Sequence, residues 1–143
     1  MNSDIKQNKM ADANVTILKA DQTPLANQEV TVEQVKHKFL FGTAAFELVP
    51  LANGEYEGQK LEQAEQWTEK LRALCNAATL PFYWARFEPE RGKPMTKEVQ
   101  NAAQWCLDHD LLPKGHPLCW HTLTAPWLLD MSNAEILQAQ VAR

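Results

Sequence analysis

The 143-residue sequence predicts an α/β protein: a parallel sheet with helical crossovers, preceded by a short antiparallel β-hairpin. Three observations point there. Short apolar runs alternate with segments whose apolar residues recur at helical spacing. The alternation repeats about every 35 residues, near the length of one unit of an eightfold β/α barrel. The first strand carries only Gly42 and no G-x-G-x-x-G, so a dinucleotide-binding sheet loses its main support. Periodicity alone leaves a barrel and an open doubly wound sheet both possible.

Residues 1–13 have no periodicity and are expected to be a disordered tail. Residues 14–36 hold the appended hairpin: Val15–Leu18 reads as a strand, Asp21–Pro24 as a turn, and Glu29–Val35 alternates with period two. Phe39–Ala45 is a continuous apolar run, the pattern of a strand buried on both faces. Asn53, Gly54 and Gly58 then mark a loop. Leu61, Ala64, Trp67, Leu71, Leu74 and Cys75 recur at helical spacing from Lys60 to Asn76. Thr79–Trp84 is a second strand and Glu88–Gly92 a loop. Thr96 is placed to cap a helix that carries Val99, Ala102, Ala103 and Cys106 on one face. Leu111–Pro113 opens a third strand, and Ser132 with Glu135 forms a capping box for a third helix.

Composition narrows the function. At 45% hydrophobic and 22% charged residues the chain can build a core, and its net charge of -4 argues against a nucleic-acid partner. No apolar run is long enough to span a membrane, and the polar start lacks the apolar segment of a secretory signal. Cys75, Cys106 and Cys119 are odd in number and widely spaced, so no disulfide framework is expected. Cys119 and His121 lack the companion spacing of a metal site, and no cofactor is expected.

Chemistry is expected at the carboxyl ends of the strands. Glu47 follows the first, Tyr83 and Trp84 end the second with Arg86 and Glu88 after it, and His116, Trp120 and His121 follow the third. Prolines at 117 and 126 keep the Leu112–Trp127 stretch out of helix, and Gly115 frees the backbone before His116. Aromatic faces beside a few polar donors suit a sugar ring, whose C–H groups pack on the rings while its hydroxyls take hydrogen bonds. Trp67 and Trp105 lie on helices and read as core; Trp84 and Trp127 fit either role.

Three segments resemble glycoside hydrolase family 10, the endo-β-1,4-xylanases. Phe39-Leu40-Phe41-Gly42-Thr43-Ala44 is similar to that family's first strand, of the form Phe-x-x-Gly-x-Ala. Trp84 through Gly92 resembles its Trp-x-x-x-Glu-Pro-x-x-Gly, and Gly115–His121 its Arg-Gly-His-x-Leu-x-Trp-His, with Lys114 in place of the arginine. The likeness covers residues 37–143 and implies the first three units of a (β/α)8 TIM barrel. It implies that His116 and Trp120 bind the sugar next to the cleaved bond, with Tyr83 and Trp84 in the neighbouring sugar-binding segment. Tyr83 stands where the family carries a lysine, and Pro126 is shifted by one position while Trp127 keeps its place.

The resemblance also implies what the chain lacks. Retaining glycosidases use two carboxylates about 5 to 5.5 Å apart. That family places them after strands four and seven, the first in an Asn-Glu pair, which this sequence does not contain. The expectation is therefore the N-terminal portion of a retaining xylanase-like glycosidase. Its partner would be a β-1,4-linked polysaccharide such as xylan, and the chain would be inactive alone. The alternative is a non-catalytic carbohydrate-binding module derived from that family.

Overall fold

The computed structural model describes residues 10–143, so most of the expected tail, residues 1–9, lies outside the described residues. The chain divides into two compact units, one ending at Lys36 and one spanning His37–Arg143.

In the first unit the expected hairpin is reduced to one turn. A single antiparallel bridge joins Leu18 to Pro24, flanked by Leu25 N–H donating to the Ile17 carbonyl at 2.8 Å. Asp21 organises the turn: its Oδ1 accepts from the Thr23 amide at 3.0 Å and from the Thr23 hydroxyl at 2.6 Å. Those bonds hold its carboxyl below the usual range. The alternating stretch Glu29–Val35 joins no ladder, and Val30, Val32 and Val35 are exposed. Alternation marks a face that wants cover; without a paired neighbour it makes no strand.

The second unit is a mixed α/β structure around a three-stranded parallel sheet. In chain order it contains β1 (Gly42–Ala44), α1 (Leu48–Ala52), α2 (Gly58–Leu74), β2 (Ala77–Pro81) and α3 (Trp84–Phe87). These are followed by α4 (Thr96–Asp108), β3 (Leu112–His116), a 3-10 turn at Pro126–Leu128 and α5 (Asn133–Ala142). The sheet order is β1-β2-β3; Gly42 pairs with Ala77, which pairs with Leu112, and Pro81 pairs with His116.

Asn76, just before β2, ties all three strands. Its side-chain oxygen accepts from the Phe41 amide and its side-chain nitrogen donates to the Phe39 carbonyl, both at 2.8 Å. Its backbone N–H donates to Phe41 and its carbonyl accepts from Leu112, each at 2.9 Å. Gly42 is required at the start of β1 because a Cβ there would sit 3.0 Å from the Ala77 carbonyl oxygen.

The core lies on the helical side of the sheet. Ala78 and Leu80 of β2 meet Leu48 and Val49 of α1, Leu71 of α2, and Val99, Ala102 and Cys106 of α4. Burial pushes the Cys106 thiol up to about 11, the behaviour of a packing residue rather than a nucleophile. Trp67 and Trp105 pack against the rim of this core, as expected. A half-buried amide pair joins the end of α1 to α4: Asn101 Nδ2 donates to Asn53 Oδ1 at 2.7 Å, and Asn53 Nδ2 donates to the Val49 carbonyl at 2.7 Å.

Several expected boundaries move. The run Phe39–Ala45 contributes only three strand residues, all exposed, and Phe39 and Phe41 are exposed as well. No described element covers the face they present. Thr96 is the first helical residue of α4 rather than its cap; Met95 takes the cap position. The capping box of α5 forms as expected, with Ser132 Oγ accepting from the Glu135 amide and Glu135 Oε2 accepting from the Ser132 amide at 2.8 Å.

Candidate functional site

The carboxyl ends of the strands gather rings. Tyr83 follows β2 as the residue preceding α3, His116 closes β3, and Trp120 stands in the loop after it. The Tyr83 ring lies 6.4 Å from His116 and 5.6 Å from Trp120, centroid to centroid. Phe46, beyond β1, meets Tyr83 edge-on at 5.7 Å. The arrangement follows from register: pairing Pro81 with His116 sets the residues that continue each strand side by side. The loop leaves β3 through a cis His116–Pro117 peptide bond. Phe82 packs under it, so a Cβ at Gly115 would lie 2.9 Å from the Phe82 ring.

Trp84 is set apart from this group. It is not the end of a strand but the first residue of α3, buried edge-on against Trp127 at 5.7 Å and packed with Ala125 and Leu128. One glutamate holds the pair. Glu88 Oε2 accepts from the Trp84 indole N–H at 3.0 Å, and Oε1 accepts from the Gly92 amide at 2.7 Å. The Glu88 carbonyl accepts from the Trp127 indole N–H at 3.0 Å. Glu88 therefore closes its own loop onto two tryptophans, and both of its carboxylate oxygens are engaged.

This separates the tryptophans by chemistry. The indole N–H groups of Trp84 and Trp127 are satisfied internally. The Trp120 indole N–H, the Tyr83 hydroxyl and both His116 ring nitrogens have no hydrogen-bond partner among the described residues. Trp120 is 46% exposed and His116 is exposed. Beside them lies a hollow of about 380 Å³ walled by Trp84, Cys119, Trp120 and His121 on one side and Ile136 and Gln140 of α5 on the other.

The last turn of α5 fixes this region. Gln140 Nε2 donates to the Leu118 carbonyl at 3.1 Å, and the Arg143 guanidinium donates to the carbonyls of Leu118 and Phe82. It lies 5.0 Å from the ring centroids of both Trp84 and Phe87. Partial burial draws its pKa down from the usual arginine value. Nothing local in the sequence signals these contacts, which join residues 25 and 61 positions apart.

Glu47, after β1, has a different neighbour. Its Oε2 accepts a short hydrogen bond from the buried Tyr56 hydroxyl, whose pKa is pushed up to about 12 by burial and then by that carboxylate. Lys60 Nζ lies 4.2 Å over the Tyr56 ring. The spacing of Tyr56 and Lys60, four residues apart at the start of α2, is the one sequence signal that could have drawn attention to this cluster. Among the described residues, no group of three or more His, Cys, Asp or Glu side chains is placed to hold a metal ion.

No family model matches the chain, and no curated protein matches it. Among solved structures it is similar to native xylanase 10B from Thermotoga maritima, at 19% identity and a TM-score of 0.48, over 68% of this chain and 33% of that one. It is also similar to xylanase 10B from Thermotoga petrophila in complex with xylobiose, at 17% identity and a TM-score of 0.48, over 71% of this chain and 34% of that one. The chain thus spans about a third of the length of these xylanases.

Proposed function

We propose that this chain supplies the first three β/α units of a (β/α)8 glycoside hydrolase resembling the endo-1,4-β-xylanases. Its part in that enzyme is to bind the sugar chain. The observation that carries this is the set of free polar groups on the rings at the strand ends. Tyr83, His116 and Trp120 stand together, and each keeps a hydrogen-bonding group without a protein partner among the described residues. Trp120 offers an apolar face to a pyranose ring, while His116 can donate through one nitrogen and accept through the other, which orients a pair of hydroxyls. Trp84, packed with Ala125 and Leu128, lines the adjoining hollow together with Trp120. The sequence motifs, with His116 and Trp120 in the family pattern, support the same reading.

Hydrolysis of β-1,4-xylosidic bonds belongs, in this proposal, to an intact parent whose two catalytic glutamates are not among these residues. The two carboxylates nearest the strand ends are otherwise engaged: Glu47 by Tyr56, Glu88 by Trp84 and Gly92. That observation also favours a second reading, a carbohydrate-binding module that keeps the aromatic platform without the chemistry.

Titration of the chain with xylo-oligosaccharide and with a β-glucan oligosaccharide, followed by tryptophan fluorescence, tests the binding role. Saturable binding is expected for the first. Trp120→Ala and His116→Ala should each weaken it by about 1 to 2 kcal/mol, roughly tenfold. Trp127→Ala should lower stability and leave the affinity of the folded fraction unchanged. Equal losses from Trp127→Ala and Trp120→Ala would remove the basis for the assignment. Xylan hydrolysis by the chain itself would contradict the division of labour proposed here.

A further inference from the structure

A second concave surface adjoins the aromatic platform and is not used by the reading above. Glu47, Tyr56 and Lys60 form a common wall between two hollows, of about 430 and 180 Å³, the larger of which is an open groove. Arg86 lines the larger hollow and Trp67 the smaller. Phe46 also walls the larger one, and its ring contact with Tyr83 at 5.7 Å sets the groove beside the platform.

The charges are unevenly matched. Glu47 already accepts from the Tyr56 hydroxyl, and Lys60 is held over the Tyr56 ring. Arg86 has neither a carboxylate nor a carbonyl partner among the described residues. Two cations therefore face the groove against one carboxylate. An arginine fork at an apolar wall matches the two oxygens of a carboxylate, and lysine adds a point charge.

We propose that this groove takes the carboxylate group of a ligand, held by Arg86 and assisted by Lys60. The carboxylate can come from a uronic acid branch on a saccharide lying across Tyr83 and Trp120, a source that rests on the function proposed above, or from a small free carboxylate.

Calorimetric titrations of the full chain distinguish these sources. The probes are a neutral xylo-oligosaccharide, the same oligosaccharide bearing one uronic acid branch, and glucuronate alone. The branched probe should bind more tightly than the neutral one, and the difference should shrink in high salt. Arg86→Gln should weaken the branched probe about tenfold and leave the neutral one unchanged, and Lys60→Gln should act in the same direction. Glu47→Gln should act oppositely by removing a like charge while keeping an acceptor for Tyr56. Arg86 and Lys60 are exposed, and matching melting curves will show that their variants are folded. Arg86-dependent binding of glucuronate without binding of the neutral probe upholds the groove and sinks the saccharide reading. Equal affinity for branched and neutral probes with no glucuronate binding, or an unchanged branched-to-neutral ratio in Arg86→Gln, overturns the groove alone. If none of the three probes binds, both proposals fall.

Discussion

Replacing Glu88 with alanine tests whether this residue is a structural clasp. The substitution removes the acceptor of the Trp84 indole N–H, in a side chain only 7% exposed, and the acceptor of the Gly92 amide in an exposed loop. Water can replace the second partner. It reaches the first poorly, so a buried donor is left unsatisfied, at a cost of about 1 to 3 kcal/mol; bonds to a charged acceptor add toward the upper end. A loss of about 2 to 4 kcal/mol is expected for Glu88→Ala. Glu88→Gln keeps one carbonyl oxygen for Trp84 and should cost about 1 kcal/mol. Urea unfolding read through tryptophan fluorescence suits the question, because Trp84 and Trp127 sit at the clasp. With a slope of about 1 to 3 kcal/mol per molar urea, the alanine variant's midpoint should fall by roughly 1 to 2 M. The bond from the Trp127 indole N–H to the Glu88 main-chain carbonyl does not depend on the Glu88 side chain, so the loop should persist in weakened form. An alanine variant with the wild-type midpoint would refute the clasp.

Three further outcomes are expected. Because the Tyr56 phenol is raised from 10.0 to about 12, the folded state holds this proton more tightly than the unfolded chain. Its stabilising contribution is therefore complete below pH 10 and lost as pH rises toward 12, and Tyr56→Phe should flatten that decline in alkaline melts. Gly115→Ala would drive a methyl against the Phe82 ring, which stacks on Phe87 at 5.1 Å; saccharide affinity should fall together with melting temperature. Ser132→Ala removes half of the capping box of α5 and should cost about 1 kcal/mol by chemical unfolding, with Ser132→Asn milder.

What was legible in the sequence was mostly local. The spacing of apolar residues marked α2 and α4, and Ser132 with Glu135 marked the start of α5, because each signal acts within a turn or two of chain. The aromatic residues at the strand ends were legible because parallel strands share a carboxyl edge. Trp84 is legible only roughly: the apolar run makes it the end of a strand, whereas the one-turn helix that sets it edge-on against Trp127 has no pattern of its own. Residues Glu29–Val35 and Phe39–Phe41 show the opposite failure. Their patterns report a surface that wants burial, while burial depends on what lies opposite, which no pattern within the segment can state. Arg143 was missed for the same reason, since its partners are main-chain carbonyls, which carry no sequence signature.

Gly42 has a consequence for how the strands find one another. Side chains in a strand alternate, so a slip of one residue exchanges the two faces and is opposed by every buried group. A slip of two restores the faces, and burial alone discriminates weakly against it. The hydrophobic pattern therefore checks parity but not position. Asn76 joins the strands at their amino ends, but its partners in β1 and β3 are main-chain groups, which a strand shifted by two residues would offer again. Gly42 checks position: it pairs with Ala77, where a Cβ would lie 3.0 Å from the carbonyl oxygen, and a slip of two would bring Leu40 or Ala44 to that place although the pleat would still agree. A missing side chain thus acts as an index mark for the first pair of strands, and the rings beyond their far ends are aligned by it.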